Sequence, residues 1–210
     1  MKSLQALLNR RSYCRKKLTY PAPDDQALKS LFDLVMTTPD HGNLKPWRFL
    51  VVKEKNMSKL AQATLEMYRQ QSADGKVTEK ARRSAKEIAE SPMMIIAISN
   101  VRPEHKVSLW DQRLCGGAAV QNIMNGLHLM GYGAFWYTFL AGNALKPVLG
   151  MKPEDQVLGA IAVGTPIERF KRPLKRKAPD DYCFEWQGLG EVAIPLFSDK
   201  NELNSLKRRD

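Results

Sequence analysis

Met93-Met94-Ile95-Ile96-Ala97-Ile98 is the longest uninterrupted apolar run in the chain, and it constrains the fold more than any other segment. It has the length of a strand and falls far short of the roughly 20 residues a membrane-spanning helix needs. A run with no polar alternation reads as a strand covered on both faces, which calls for helices on either side of it.

Helical patterns are available for that role. Leu28, Leu31, Phe32 and Val35 recur at helical spacing, with Asp24 as N-cap and Pro39 as stop. Further helices are expected over 3–9, about 57–71 and about 78–90. The longest pattern runs from about Val107 to Met130, with Gly131 as its C′ stop. Inside it, Gly116-Gly117 costs on the order of 1 kcal/mol per glycine, so the pair is expected where another backbone comes close. Arg48–Val52, Gly133–Thr138 and Val157–Val163 read as strands, and Asn143–Leu149 as a short capped helix. The alternation predicts an α/β chain in three layers, and 210 residues fit one domain. A Pro- and Lys-rich connection then leads to Tyr182-Cys183-Phe184-Glu185-Trp186. This aromatic segment is expected to bury itself as an edge strand, on its own sheet or a partner's.

The hydrophobic share of 43% and charged share of 26% are those of a globular protein. The N-terminus lacks the apolar core and cleavage site of a secretory signal, so a cytoplasmic protein is expected. Cys14, Cys115 and Cys183 are odd in number and lack CxxC spacing, which fits a reduced compartment better than a disulfide scaffold. His41, His105 and His128 have no metal-ligand spacing. The chain has no GxxxxGK[ST], HExxH or GxSxG, and no GxGxxG after a strand, so metal, hydrolase and Rossmann readings lack support.

A formal net charge of +11 favours anionic partners: nucleic acid, membrane surface or phosphorylated small molecules. The charge gathers at 10–17, 169–177 and 207–209. A basic nucleic-acid-binding domain is the non-enzymatic alternative, and steep salt dependence would be its signature. Against it, the aromatic residues lie mainly in apolar strands and turns, not among the basic runs.

Two segments carry the chemistry. Arg10-Arg11-Ser12 ends the first helix in a cluster of guanidinium and hydroxyl groups suited to a phosphate. Pro39-Asp40-His41-Gly42-Asn43-Leu44-Lys45-Pro46-Trp47 supplies amide and imidazole groups beside apolar walls, as a flat polar ring requires. Plainer roles fit each part: cations complementing a helix C-terminus, polar residues capping a turn, and Trp47 in the core. Taken together, the segments point to flavin mononucleotide (FMN).

The order and spacing of Asn9-Arg10-Arg11-Ser12, Ala22-Pro23-Asp24, Pro39-Asp40-His41, Lys45-Pro46-Trp47 and Gly164-Thr165-Pro166 resemble the FMN-dependent nitroreductases. His105-Lys106-Val107 followed by Trp110, and Gly131-Tyr132-Gly133 leading into Trp136, look like the compact bacterial branch typified by YdjA. The resemblance covers roughly 4–187. It implies an α+β, nitroreductase-like three-layer sandwich: a central mixed sheet flanked by helices, in an intertwined homodimer with FMN at the interface. It divides the chain into an FMN-binding domain at 1–187, including a swapped C-terminal segment, and a basic extension at 188–210.

The resemblance also implies site roles. Arg10 and Ser12, with Arg11 beside them, would hold the ribityl phosphate. The partner subunit would bring Thr37, His41 and Asn43 to the flavin. Trp136-Tyr137-Thr138 would lie along the isoalloxazine ring, and the stretch from Gly126 to Gly131 would meet the nicotinamide donor. Hydride would pass from NAD(P)H to the flavin and on to a nitroaromatic or quinone by a ping-pong scheme, with no catalytic side chain. Another flavin chemistry, dehydrogenase or flavin-consuming, is the alternative. Cys14 stands where many relatives have a basic residue near the flavin pyrimidine. Arg15, or a main-chain amide, is the candidate for that edge. Thr37 also replaces a basic residue, and Lys171 or Arg172 is the candidate for a C-terminal phosphate contact.

Overall fold

The computed structural model describes residues 2–137, 145–170 and 174–197. The chain divides into two compact units, 1–169 and 170–210.

The first unit is built on strand β3 (Met93–Ser99), all of whose residues are buried. It pairs antiparallel with β2 (Trp47–Lys53) on one side and β5 (Gln156–Pro166) on the other. The far edge of β5 carries β4 (Gly133–Tyr137) and the two-residue β1 (Leu18–Thr19). Every ladder among the described residues is antiparallel, and β2 forms an outer edge.

Alternation along β3 explains the layers. Met93, Ile95 and Ala97 face one way, against α2 (Asp25–Met36) and α5 (Leu109–Leu129). Met94, Ile96 and Ile98 face the other way, against α3 (Glu54–Gln71) and α4 (Glu79–Ala89). The expected α+β sandwich is thus present, with a sheet between two helical layers. α2 starts where Asp24 accepts the Ala27 amide at 2.8 Å. α5 ends in a Schellman motif: Gly131, at φ +87°, donates to the His128 carbonyl, and Tyr132 donates to that of Leu127.

Two expectations need correction. Among the described residues, a side chain and not a backbone meets Gly116, and nothing meets Gly117. A Cβ on Gly116 would lie 2.4 Å from Leu158 Cδ1, while Gly117 has nothing within 4 Å. Leu158 is the extra residue of a β-bulge, since Ala97 pairs Gly159 whereas Ile98 pairs Val157. The described part of the expected 143–149 helix forms turns instead, closed by Leu149 N to the Leu145 carbonyl and Met151 N to that of Lys146. Asn143 lies outside the described residues.

The second unit holds a small antiparallel ladder between β6 (Phe184–Glu185) and β7 (Ile194–Pro195). Leu196 N extends it to the Cys183 carbonyl at 2.9 Å. Tyr182, Phe184 and Trp186 are exposed on it. Among the described residues no helix is long and apolar enough to cross a membrane, and Cys14, Cys115 and Cys183 are free thiols.

Candidate functional site

The basic-hydroxyl segment leaves α1 (Lys2–Leu8) directly. Arg10 N still donates to the Leu7 carbonyl at 3.0 Å, and the chain then crosses to the sheet. There Tyr13 N donates to the Ala134 carbonyl at 2.9 Å, fixing Arg10, Arg11 and Ser12 beside the start of β4. Arg10 and Arg11 are half-buried, and Ser12 is exposed. The Tyr13 ring is buried with Leu18 and Ala162, which anchors the turn from below. The two guanidinium groups and the hydroxyl that this segment carries are a donor set of the kind a phosphate monoester requires.

Along β4, pleat alternation sends Trp136 and Tyr137 to opposite faces. Trp136 is 39% exposed, and its indole crosses Gly159, where a Cβ would lie 2.0 Å from Nε1. The indole N–H donates to the Leu158 carbonyl at 3.3 Å. Tyr137 faces a cleft of about 360 Å³ that it shares with Cys14, Arg15, Lys16, Glu87 and Phe135. Burial pushes its phenol up to about 12, against an opposing pull from Arg15. Hence one flat ligand could touch only one of these two side chains, together with the β4 backbone. Thr138 lies outside the described residues, as do Lys171 and Arg172.

Arg15 is already engaged. Its Nη2 pairs with Glu87 Oε2 at 2.9 Å, and Nη1 donates to the Ser84 carbonyl at 3.3 Å. Its guanidinium stacks on the Tyr137 ring.

The amide-imidazole segment follows α2. Thr37 caps that helix and donates its hydroxyl to the Leu34 carbonyl at 2.7 Å. The neighbouring Thr38 is buried and accepts the Asn122 side-chain amide from α5 at 2.8 Å. His41–Asn43 then forms one 3₁₀ turn. Gly42, Asn43 and Lys45 all have positive φ, at +77°, +53° and +48°. Glycine takes this region readily and asparagine tolerates it, but lysine is held there against preference. The restraint is Asp40, whose side chain is 1% exposed. Its Oδ2 accepts Lys45 N at 2.8 Å and its Oδ1 accepts Lys45 Nζ at 2.6 Å. The same Nζ donates to Asn43 Oδ1 at 2.6 Å. Burial pushes the Asp40 carboxyl up, but the bonds and charge of Lys45 and the Leu44 amide together hold it below its ordinary value. His41 and Asn43 are left exposed at the rim. Beside them a cleft of about 400 Å³ opens between α2 and β2, lined by Phe32, Met36, Lys45, Trp47 and Phe49 among others. Trp47 is buried, as expected of a core residue, yet its indole N–H has no partner among the described residues.

The two predicted patches sit at opposite ends of α5. His128 in its last turn bonds the Ala6 carbonyl of α1 at 2.8 Å, whereas Gly42 packs near His105 and Val107 just before its first turn. A helix of 21 residues is ~30 Å long, so within one chain these ends stay apart. Of the residues expected to meet the nicotinamide, Gly131 is the exposed cap of α5. Gly126 is buried in α5, where a Cβ would lie 2.7 Å from Leu31 Cδ1 and 2.9 Å from Leu34 Cδ2. Nothing in the sequence drew attention to Asn122 or Glu87. Asp40 and Lys45 lie within the Pro39-Asp40-His41 and Lys45-Pro46-Trp47 matches, but nothing in the sequence signals that they join.

Comparison with known proteins is consistent across sequence and structure. The profile of the Nitroreductase family matches residues 7–165. YdjA of Escherichia coli K12, provisionally named an NAD(P)H nitroreductase, is 27% identical over 186 residues, spanning 88% of this chain and 98% of that protein. A nitroreductase-like protein from Bacillus cereus superposes with a TM-score of 0.73 at 17% identity, over 90% of this chain and 97% of that one. A variant of NfnB, an FMN- and NADPH-dependent nitroreductase from Sphigopyxis sp. strain HMH, gives 0.69 at 19% identity, over 90% and 100%.

Proposed function

Because the chain belongs to the nitroreductase family, we propose that it is an FMN-dependent oxidoreductase that takes hydride from NAD(P)H and passes reducing equivalents to an electron-poor acceptor. Nitroaromatics and quinones are the acceptor class, in a ping-pong scheme. NfnB, with the same fold, is named for both FMN and NADPH. The observation that carries the reading is the Tyr13–Ala134 bond, which seats Arg10, Arg11 and Ser12 at the end of the strand bearing Trp136.

FMN supplies the redox chemistry when bound, and the chain's own residues bind and orient it. Arg10, Arg11 and Ser12 would hold its phosphate. Trp136 and the β4 backbone would flank its ring. His41 and Asn43, whose turn lies at the far end of α5 from the phosphate cluster of their own chain, would come with Thr37 from a second copy. A homodimer is supported by the outward apolar side chains of α5: Trp110, Leu114 and Leu129 are all exposed. Such a face on a helix is expected to be covered. With Arg15 committed to Glu87 and Tyr137, a main-chain amide is the candidate left from that segment for the anionic edge of the reduced ring. Gly131, exposed at the end of α5, would meet the nicotinamide, while Gly126 shapes that end by letting α2 approach.

The direct experiment is purification followed by denaturation and assay. A yellow protein that releases FMN and oxidises NADH or NADPH when given a nitroaromatic or quinone supports the proposal. A colourless monomer that takes up no added FMN rejects it. Flavin binding without oxidation of either nucleotide would favour a different flavin chemistry on this fold.

A further inference from the structure

The Asp40–Lys45–Asn43 cluster does more than close a loop. An ammonium group only donates hydrogen bonds, so Lys45 Nζ, 2.6 Å from Asn43 Oδ1, turns the amide oxygen of Asn43 inward. The Nδ2 group of Asn43 then faces out from an exposed position and donates to nothing among the described residues. Lys45 is itself held from behind. Its amide and its ammonium both reach the covered Asp40 carboxylate, at 2.8 Å and 2.6 Å. Positive φ at Gly42, Asn43 and Lys45 leaves this turn little stability of its own, so the ion pair keeps it in place.

We infer that Lys45, seated by Asp40, is a positioning residue that fixes Asn43 as a hydrogen-bond donor toward a carbonyl or ring-nitrogen acceptor on the flavin. The inference rests on the proposed FMN site and adds the sign of one contact within it. A free asparagine could offer either its oxygen or its NH₂ group; with Lys45 on the oxygen, only the donor faces the ligand. The acceptors of the flavin's pyrimidine edge become more negative on reduction, so a fixed donor there binds the reduced ring more tightly than the oxidised one. Asn43 therefore raises the two-electron potential, and Lys45 acts through it.

The test titrates FMN-free protein with FMN by fluorescence and measures the midpoint potential of the reconstituted protein. The variants are Lys45→Met, Lys45→Arg, Asn43→Asp, Asn43→Gly and the Lys45→Met/Asn43→Gly double. Aspartate and glycine both tolerate the positive φ at this position, and aspartate keeps an oxygen for Lys45 while removing the donor. Lys45→Met is expected to weaken FMN binding several-fold and lower the potential, with Lys45→Arg recovering part of both. A tenfold loss of preference for the reduced ring corresponds to about 30 mV for this couple. Asn43→Asp should be at least as impaired as Asn43→Gly, and the double variant should match Asn43→Gly alone. Wild-type affinity and potential in Lys45→Met or Asn43→Asp, or additive effects in the double variant, would overturn the inference and leave the FMN site standing. If Lys45→Met does not fold, the Asn43→Asp and Asn43→Gly pair decides. A wild-type protein that binds no FMN would instead remove the functional reading itself.

Discussion

The Arg15 guanidinium stands 4.8 Å from the centre of the Tyr137 ring, on the sheet face opposite Trp136. Glu87 holds the same guanidinium from α4, so one arginine ties the segment after Arg10–Ser12 to the strand expected to flank the flavin.

Tyr137 should therefore titrate late. Its phenol is held at about 12, above the ordinary 10.0, chiefly by burial. A raised folded value means the neutral form is favoured by folding. The associated stability is complete below pH ~10 and is lost as pH rises toward about 12. Ultraviolet titration of the phenolate band should show a late component that is lost in Tyr137→Phe.

Cutting the tether should be mild. The Arg15–Glu87 pair is partly exposed, so Glu87→Gln should cost about 1 kcal/mol or less in denaturant unfolding. A loss of several kcal/mol would overturn this expectation.

Asp40 gives the opposite pH dependence. Its lowered carboxyl value contributes stability that is present above the unfolded value of ~3.9 and disappears as pH falls through the folded one. Asp40→Asn should remove this acid-side dependence and loosen the His41–Asn43 turn. Thermal unfolding of both proteins across the acid range checks it.

Gly159→Ala should be among the costly single changes in the sheet. At φ +152° a side chain is strained, and its Cβ would meet the Trp136 indole at 2.0 Å. A loss of about 1–3 kcal/mol, with a shift in tryptophan emission, is expected.

Arg10→Ala should weaken FMN binding by roughly 1.5–3 kcal/mol, the worth of a charge-assisted contact. Equilibrium titration reads this directly, and unchanged affinity would remove Arg10 from the phosphate site. His41→Ala should alter turnover more than folding.

The frame was legible because it is written locally. β3 runs over the residues its apolar run marks, and α2 begins at the cap Asp24 marks. The Arg10–Ser12 and His41–Asn43 segments were legible as chemistry. What joins them to the fold was not. Asn122 reaches Thr38 across 84 residues, and Glu87 reaches Arg15 from another helix. Such bonds leave no periodic trace, because each partner alone is an ordinary polar residue at a helix surface or turn. The Gly116-Gly117 pair misled for the same reason: a missing side chain signals that room is needed but not what fills it.

The bulge at Leu158 has a consequence for how the sheet assembles. A strand that is apolar on both sides, like β3, would lose little hydrophobic burial by sliding one notch against its neighbours. The recess at Gly116 accepts Leu158 in a single alignment of β5, so that leucine works as a latch against slippage.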